Sequence, residues 1–181
     1  GMVDRVWDQL GPIDVLVNNA GIETVHPFVD LPEADWDAVH DVNLKGPFLL
    51  SQAIVGRMID DDIEGSIVNV TSYHDTVPRT DKIHYDTSKA GLHMLTKDMA
   101  LEMAEHGIDV NCVAPGIVES PMNADILEDP ERIEAMNERV PLGRMASPED
   151  VAAVVAFLVS EDAEYLTGVR IPVDGGLQLD P

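Results

Sequence analysis

Cysteine, aromatic residues and long apolar runs are scarce in this 181-residue sequence. Cys112 is the only cysteine, so no internal disulfide is possible, and Phe, Trp and Tyr together make up 4% of the chain. The longest apolar run covers residues 151–159, far short of the ~20 residues that a membrane-spanning helix needs. No basic-then-apolar signal pattern opens the chain, and we expect a cytoplasmic protein. With 45% hydrophobic residues, the sequence predicts a single globular domain with an aliphatic core.

Positively charged residues are scarce as well. The chain has 11 Lys and Arg against 34 Asp and Glu, which gives a net charge of -23. Such a surface repels nucleic acids and anionic lipids, and neither is expected as a partner. The acidic residues are spread along the chain rather than gathered in one tail, which indicates a solvated surface. Because salt screens such self-repulsion, we hypothesise that the protein comes from a halophile with an acidic proteome and a salt-rich cytoplasm.

Apolar runs alternate with amphipathic segments along the chain. The runs are typical of buried β-strands and cover residues 13–17, 66–72, 108–114 and 169–173. The longest helical patterns cover residues 2–10, 32–58, 83–106 and 148–160. This alternation predicts an α/β fold, a three-layer Rossmann-type parallel sheet of about four strands. We expect the first strand to be covered on both faces.

Polar residues follow three of the predicted strands. Residues 18–21 read Asn-Asn-Ala-Gly, Ser72 ends the second strand, and Pro115 and Gly116 follow the third. In parallel sheets covered by helices, ligands bind beyond the carboxyl ends of the strands. We therefore expect these residues to border a common binding site.

Tyr85 and Lys89 stand four residues apart in a predicted helix, which puts them on one face and one turn from each other. An ammonium beside a phenol favours the phenolate, so the spacing predicts that the pKa of Tyr85 falls from its usual ~10 towards neutrality. Ser72, 13 residues before the tyrosine, could hold a substrate oxygen against that phenol. A Tyr-x-x-x-Lys spacing is common by chance, so a solvated helix face is the alternative interpretation.

Taken together, these residues resemble the short-chain dehydrogenase/reductase family. The matching positions follow the family's order and spacing over essentially the whole chain and include residues 18–21, Asn43, Ser72, Tyr85, Lys89, Pro115, Gly116, Ser120, Gly168 and residues 174–176. The resemblance implies the C-terminal part of a doubly wound fold, with a nicotinamide cofactor, NAD or NADP, lying across the strand ends. The residues that would bind this cofactor are Asn19, Ala20, Gly21, Tyr85, Lys89, Pro115, Gly116, Val118 and Ser120.

The resemblance also implies a catalytic role for each of four residues. Tyr85 would be the acid/base at the reacting carbonyl or hydroxyl, and Lys89 would hold the nicotinamide ribose and lower the tyrosine pKa. Ser72 would orient the substrate oxygen, and Asn43 would bind a water that connects Lys89 to solvent. Structural alternatives stay open, because Asn43 could instead cap a helix kink and Ser72 could satisfy backbone groups at a strand end.

Finer features resemble the bacterial glucose 1-dehydrogenase branch of the family. They lie in residues 19–23, 72–75 and 123–124. Glu23 and His74 would then border a sugar pocket, since a carboxylate and an imidazole make directional bonds to hydroxyls, but both could equally be ordinary polar loop residues. No second histidine or cysteine stands at ligand spacing from His74, and no metal is expected. Residues 141–144, Pro-Leu-Gly-Arg, are shared with the 3-oxoacyl-carrier-protein reductases, so that substrate class stays open.

The glycine-rich turn with which the family binds the cofactor pyrophosphate is not found in the sequence. None of the 13 glycines forms Gly-x-x-x-Gly-x-Gly after a predicted strand. We therefore expect residues 1–181 to be a single short-chain dehydrogenase/reductase domain that lacks its N-terminal dinucleotide-binding β-α-β-α-β portion. Two functions stay open: an oxidoreductase acting on a small alcohol or carbonyl compound such as a sugar, and a catalytically silent remnant that serves as an oligomerisation module. The family implies a homo-oligomer, a tetramer or a dimer.

Overall fold

The computed structural model describes residues 1–179, and its centre is a four-stranded parallel sheet in the order β1-β2-β3-β4. The strands are β1 (Val15–Asn18), β2 (Gly65–Val70), β3 (Ile108–Pro115) and β4 (Arg170–Val173). The register pairs Val17 with Val68, and Val68 in turn with Asn111. This arrangement confirms the predicted α/β class and its parallel sheet.

Helices connect the strands. The described residues contain α1 (Met2–Leu10), α2 (Glu33–His40), α3 (Gly46–Asp60), α4 (Ile83–Met103), α5 (Ala124–Leu127), α6 (Pro130–Arg139) and α7 (Pro148–Leu158). The side chain of Ser147 caps α7 and forms a capping box with Asp150, in agreement with the sequence. Past the end of α4, Gly107 adopts the left-handed conformation with a φ of 67°. No α-helix within residues 1–179 is both long and apolar enough to cross a membrane.

Helices cover both faces of the sheet. On one face, α1, α3 and α4 pack around a core that includes Trp7, Met58 and Ile67. On the other face, Val68 and Val113 pack against Leu158 of α7. The strands therefore form the middle of three layers, and their carboxyl ends meet at one edge, where a ligand site is expected.

β1 departs from the prediction of a strand covered on both faces. Val15 and Val17 are 38% and 39% exposed, whereas Leu16 on the opposite face is 8% exposed. The reason is that β1 pairs with β2 alone among the described strands, and α7, the helix on the Val17 face, packs against β2, β3 and β4. An apolar run cannot reveal which neighbours will cover it, and this strand is half-buried.

The long helix expected over residues 32–58 runs without a break from Glu33 to Asp60, but a turn of π-helix interrupts its α-helical bonding. α2 ends at His40, the π-turn covers Asp41–Lys45, and α3 begins at Gly46. Pro47 has no N–H and cannot donate to the carbonyl of Asn43, four residues before it, so the α-helical bonding pattern is interrupted here. Asn43, fully buried, thus lies in a wide turn of the kind often found at functional sites.

Candidate active site

The carboxyl ends of the strands open into a cleft of about 860 Å³ between the start of α4 and α7. All nine residues predicted to bind a cofactor line this cleft, namely Asn19, Ala20, Gly21, Tyr85, Lys89, Pro115, Gly116, Val118 and Ser120. Ser72 lines it as well, whereas Asn43, Glu23 and His74 are not among the lining residues. The tertiary structure therefore brings together residues from four separate parts of the chain.

Tyr85 and Lys89 lie side by side in the first turns of α4, as their spacing predicts. They are buried, at 7% and 3% exposure, and Lys89 Nζ lies 5.7 Å from the centre of the Tyr85 ring. The ammonium donates a hydrogen bond of 2.8 Å to the backbone carbonyl of Val70, the last residue of β2. Lys89 is thus anchored to the strand that leads to Ser72, and the three residues share one wall of the cleft.

The pKa of Tyr85 is raised, not lowered as the sequence predicts. Burial takes this pKa to about 12, and the carboxylates of Glu23 and Asp86 push it in the same direction. The Ser72 hydroxyl and the Arg79 guanidinium lower it, but they do not offset the loss of hydration. The phenol is therefore protonated at neutral pH and can donate a proton.

Burial also dominates the protonation of Lys89. Loss of hydration lowers the pKa of its ammonium to about 8, while the negative charge of Asp75 acts in the opposite direction. At pH 7 the ammonium is still mostly protonated. The sequence-based expectation considered only the attraction between Lys89 and a tyrosinate, and the removal of both groups from water is the larger effect.

Ser72 follows β2 and begins a short 3-10 turn that covers Tyr73–Asp75. Its hydroxyl oxygen accepts a hydrogen bond of 3.1 Å from the backbone N–H of His74. The serine thus satisfies a backbone group, as the structural alternative predicts, and it also borders the cleft. Because the oxygen is the acceptor in this bond, the hydroxyl hydrogen can still be donated to another oxygen.

Asn43 joins the loop after β1 to α4. Its side-chain oxygen accepts from the N–H of Ile22 and its NH2 group donates to the carbonyl of the same residue, both at 2.9 Å. The same NH2 group donates to the hydroxyl of Ser88 at 3.1 Å. A methyl group added to Gly21 would come within 3.4 Å of Lys89 Nζ and 3.6 Å of Asn43 Oδ1, so the loop passes directly over both side chains. These contacts tie the asparagine side chain to the loop after β1 and to α4, and none of them caps the helix.

Four charged side chains form a network next to Tyr85, and sequence reasoning singled out only Glu23 among them. Arg79 donates to Glu23 at 3.0 Å and to Asp86 at 3.1 Å, and the Lys82 ammonium is also hydrogen-bonded to Glu23. The Cζ atom of Arg79 lies 4.9 Å from the centre of the Tyr85 ring. We call Glu23, Arg79, Lys82 and Asp86 the tyrosine cluster. Two basic residues so close to Tyr85, in a chain with only 11, are the sequence signal that could have revealed it.

His74, the other predicted substrate residue, is 8% exposed. Its Nδ1 lies 2.7 Å from the carbonyl of Val77, and its ring centre lies 3.7 Å from that of Tyr73. Burial lowers the pKa of this imidazole, which keeps it neutral. The carbonyl contact requires the hydrogen on Nδ1, so Nε2 is an acceptor.

Within residues 1–179, no group of three or more His, Cys, Asp or Glu side chains is arranged to hold a metal ion.

A buried ion pair holds the turn that follows Ser72. Arg170 of β4 places its Nε 2.9 and 3.0 Å from the two carboxylate oxygens of Asp75, and a second guanidinium nitrogen lies 2.8 Å away. The Asp75 side chain has no exposed surface, and His93 Nδ1 lies 3.7 Å from the same carboxylate. Sequence reasoning missed this pair because its members are 95 residues apart and no local pattern connects them.

Similar proteins cover nearly the whole chain. The family model described as enoyl-(acyl carrier protein) reductase matches residues 1–178. The 3beta-hydroxysteroid dehydrogenase 1 of Eggerthella lenta is 42% identical over 99% of this chain, and the glucose 1-dehydrogenase 2 of Bacillus subtilis is 38% identical over 99%. The 3-oxoacyl-[acyl-carrier-protein] reductase FabG of Thermotoga maritima is 46% identical over 97%. The chain spans 70% of the length of each of these relatives.

Solved structures share the fold. A gluconate 5-dehydrogenase from Burkholderia cenocepacia in complex with NADP and tartrate has a TM-score of 0.93 and 33% identity, over 98% of this chain and 69% of its own. A 4-hydroxyisoleucine dehydrogenase complexed with NADH has a TM-score of 0.95 and 28% identity, over 99% of this chain and 74% of its own. Both of those proteins carry a nicotinamide cofactor.

Proposed function

The chain belongs to the short-chain dehydrogenase/reductase family, and we propose that it transfers hydride between NAD or NADP and a secondary alcohol or its carbonyl. The oxidoreductase class follows from family membership. The observation that carries the specific reaction is the meeting of Tyr85, Lys89 and Ser72 at one wall of the cleft beyond the strand ends. These residues supply a proton donor, a buried cation and a hydroxyl, which suit proton transfer at a carbon-bound oxygen.

The cleft fits the nicotinamide half of such a cofactor. Lys89 uses one N–H on Val70, and its other two can reach ribose hydroxyls. At Gly116 an added methyl would lie 2.8 Å from the Cα atom of Asp174, so the two backbone segments pack too closely there for any side chain. Bound in the cleft, a nicotinamide would supply or accept the hydride. The glycines of the sequence form no pyrophosphate turn after a predicted strand, so the proposed contacts are those to the nicotinamide half of the cofactor.

Tyr85 is proposed to exchange the proton with the substrate oxygen, while Ser72 donates a hydrogen bond to that same oxygen. With a pKa of about 12, the phenol is protonated at neutral pH, which is the form that carbonyl reduction requires. Alcohol oxidation requires the tyrosinate, which nearby positive charge favours. Lys89 and Arg79 provide such charge at 5.7 and 4.9 Å from the ring centre.

Asn43 is proposed to act on the lysine indirectly. Its side chain is occupied by Ile22 and Ser88 and holds the loop after β1 in place. Its backbone carbonyl has no α-helical donor, because residue 47 is proline. We propose that this carbonyl holds a water linking Lys89 to solvent, the role that the family resemblance implies.

We propose a sugar or similar polyol as the substrate. The support is the polar character of the groups near Tyr85, because the Glu23 carboxylate, the Arg79 guanidinium and the His74 Nε2 acceptor all suit hydroxyls. A 3-oxoacyl thioester is the second candidate, favoured by the 46% identity to the Thermotoga protein and by residues 141–144. Relatives of comparable sequence identity are named for a steroid, a sugar and an oxoacyl substrate. Sequence identity alone therefore does not identify the substrate class.

Titration of the purified chain with NAD and NADP tests the proposal. We expect calorimetry to show binding, and we expect a glucose-dependent rise in absorbance at the band of the reduced nicotinamide. Oxidation of the reduced cofactor by a 3-oxoacyl thioester, without activity on glucose, would favour the second candidate. Failure to bind either cofactor would contradict an active enzyme and favour a silent remnant that serves as an oligomerisation module.

The protein is further proposed to be a homo-oligomer, a tetramer or a dimer. Large apolar side chains are exposed on α3 and α4, including Phe48 at 42%, Leu49 at 50% and Leu101 at 82%. A second copy of the chain that covered them would remove this surface from water. Light scattering during gel filtration measures the mass, and a monomer at every concentration would contradict this proposal.

We also propose that the chain works in a salt-rich cytoplasm. The net charge of -23 creates self-repulsion that salt weakens. The melting temperature is therefore expected to rise between low salt and molar potassium chloride, as measured by calorimetry. An unchanged melting temperature would contradict the halophile hypothesis.

A further inference from the structure

The position of the Ser72 hydroxyl depends on the turn that follows it. The hydroxyl oxygen accepts a hydrogen bond of 3.1 Å from the N–H of His74, and the Ser72 carbonyl accepts one of 3.0 Å from the N–H of Asp75. The first bond fixes the side-chain torsion of the serine, because the oxygen has to face that N–H group. A shift of the turn would therefore carry the hydroxyl with it.

The turn is held through the side chain of its last residue, Asp75. This carboxylate has no exposed surface, and its two oxygens lie 2.9 and 3.0 Å from Nε of Arg170. Within residues 1–179, no other side chain comes within hydrogen-bond distance of it, and His93 Nδ1 stays 3.7 Å away. Because a buried carboxylate is costly to leave unpaired, Asp75 has to stay where its arginine is.

Arg170 is itself held from two directions. It is the first residue of β4 and pairs with Cys112 of β3 in the sheet. Its guanidinium also donates to Gln178 at 3.0 Å, and the Gln178 side chain donates in turn to Asp174, the residue after β4, at 2.8 Å. A planar guanidinium held in this way presents a rigid fork to Asp75. The turn after Ser72 is thus fastened to the β4 edge of the sheet.

We propose that Arg170 is a positioning residue for the reaction, which acts through Asp75 to hold the turn that presents the Ser72 hydroxyl to the substrate oxygen. Its role is indirect, because neither Arg170 nor Asp75 is among the residues that line the cleft. The inference rests on the proposed function, which assigns the substrate oxygen to Ser72. It makes the geometry of the guanidinium essential as well as its charge, since a displacement of about 1 Å can cost about 10²-fold in rate.

Arg170→Lys tests this role without leaving a buried carboxylate unpaired. Lysine keeps a positive charge beside Asp75 but replaces the planar fork by a single ammonium, so the turn is held less tightly. We expect kcat to fall about tenfold and the KM for the cofactor to stay unchanged. Arg57→Lys is the matched control, because Arg57 pairs with Asp4 at 3.5 Å near the end of α3 and should keep the full rate. An unchanged kcat in Arg170→Lys would overturn the proposal.

A double-mutant cycle shows whether Arg170 acts through Ser72. Ser72→Ala alone should lower kcat about 10²-fold, because it removes one hydrogen-bond donor from the transition state. When Arg170→Lys is added to Ser72→Ala, kcat should change less than about twofold, since no hydroxyl is left to position. The same tenfold loss with and without the serine hydroxyl would overturn the proposal.

Hydrogen exchange followed by NMR tests the positioning without turnover. In Arg170→Lys, the N–H groups of His74 and Asp75 should exchange about tenfold faster than in wild type. The N–H of Ile54, buried in α3, should keep its rate. Unchanged exchange in the turn, or an equal increase at all three groups, would overturn the inference. Faster exchange confined to the turn, in a protein without any turnover, would contradict the proposed function and leave the positioning standing.

Discussion

The Tyr85 side of the cleft and the β1 edge differ in how completely the chain's own groups surround them. Beneath Tyr85, buried polar groups are paired across elements: Asn69 of β2 donates to Thr96 of α4 at 2.9 Å and accepts from Asn18 at 2.8 Å. At the β1 edge, Val15 and Val17 keep more than a third of their surface exposed. The polar pairing thus reaches the covered face of β1 through Asn18, whereas the opposite face of the same strand, with Val15 and Val17, stays partly exposed.

The largest effect on activity is expected from Tyr85→Phe, which removes the proposed proton donor on the Tyr85 side of the cleft. The variant removes the hydroxyl and keeps the packed ring, so kcat should fall about 10³-fold while the melting temperature stays nearly unchanged. Steady-state kinetics with NAD or NADP measure the loss. Tyr165→Phe is the matched control, because Tyr165 is 99% exposed, and it should keep the full rate. Retained activity in Tyr85→Phe would remove this tyrosine from the acid/base role.

Arg170→Met is expected to have the next largest effect, a loss of about 3–5 kcal/mol in the free energy of unfolding. The substitution leaves the Asp75 carboxylate, which has no exposed surface, without its cation. Urea unfolding measures the change. The double variant Arg170→Met with Asp75→Asn should recover most of it, since no unpaired charge remains. A loss as large in the double variant would show that packing, rather than charge, sets the cost.

Lys89, on the Tyr85 side of the cleft, makes the free energy of unfolding depend on pH. Burial lowers its pKa from 10.5 to about 8, so between these values the unfolded chain binds a proton that the folded chain does not. The resulting penalty on folding, about 3 kcal/mol at most, is present below pH 8 and disappears as the pH rises towards 10.5. Urea unfolding of wild type and Lys89→Met between pH 7 and 10 should therefore show wild type gaining relative stability with pH. A difference in unfolding free energy between the two proteins that does not change with pH would contradict the lowered pKa of Lys89.

The smallest effect is expected at the β1 edge itself. Val15→Thr should change the free energy of unfolding by about 0.5 kcal/mol or less, because the residue is 38% exposed. Its neighbour Leu16 is 8% exposed and packs in the core, so Leu16→Ala should cost about 2–5 kcal/mol. Both values come from urea unfolding at equal ionic strength. Similar costs at the two positions would mean that the exposed face of β1 is covered in solution.

Local spacing predicted much of the candidate site. Tyr85 and Lys89 share a helix face because they stand four residues apart, and Gly21 and Gly116 reach the cleft because parallel strands end at the same edge. The π-turn at Asn43 was missed, although Pro47 was visible, because the apolar pattern continues through it. Arg79 was missed because its partners come from the loop after β1 and from α4, and no periodicity connects them.

The sequence by itself determined the alternation of strands and helices, the family, and which residues lie at the strand ends, since each depends on short-range periodicity and turn residues. Only the tertiary structure decided how far each of these residues is removed from water. That is why the pKa of Tyr85 rises to about 12 although a lysine lies four residues away. It is also why Val15 and Val17 stay exposed in an apolar strand. Desolvation and ion pairing depend on neighbours in space, which in this chain come from segments as far apart as Asp75 and Arg170.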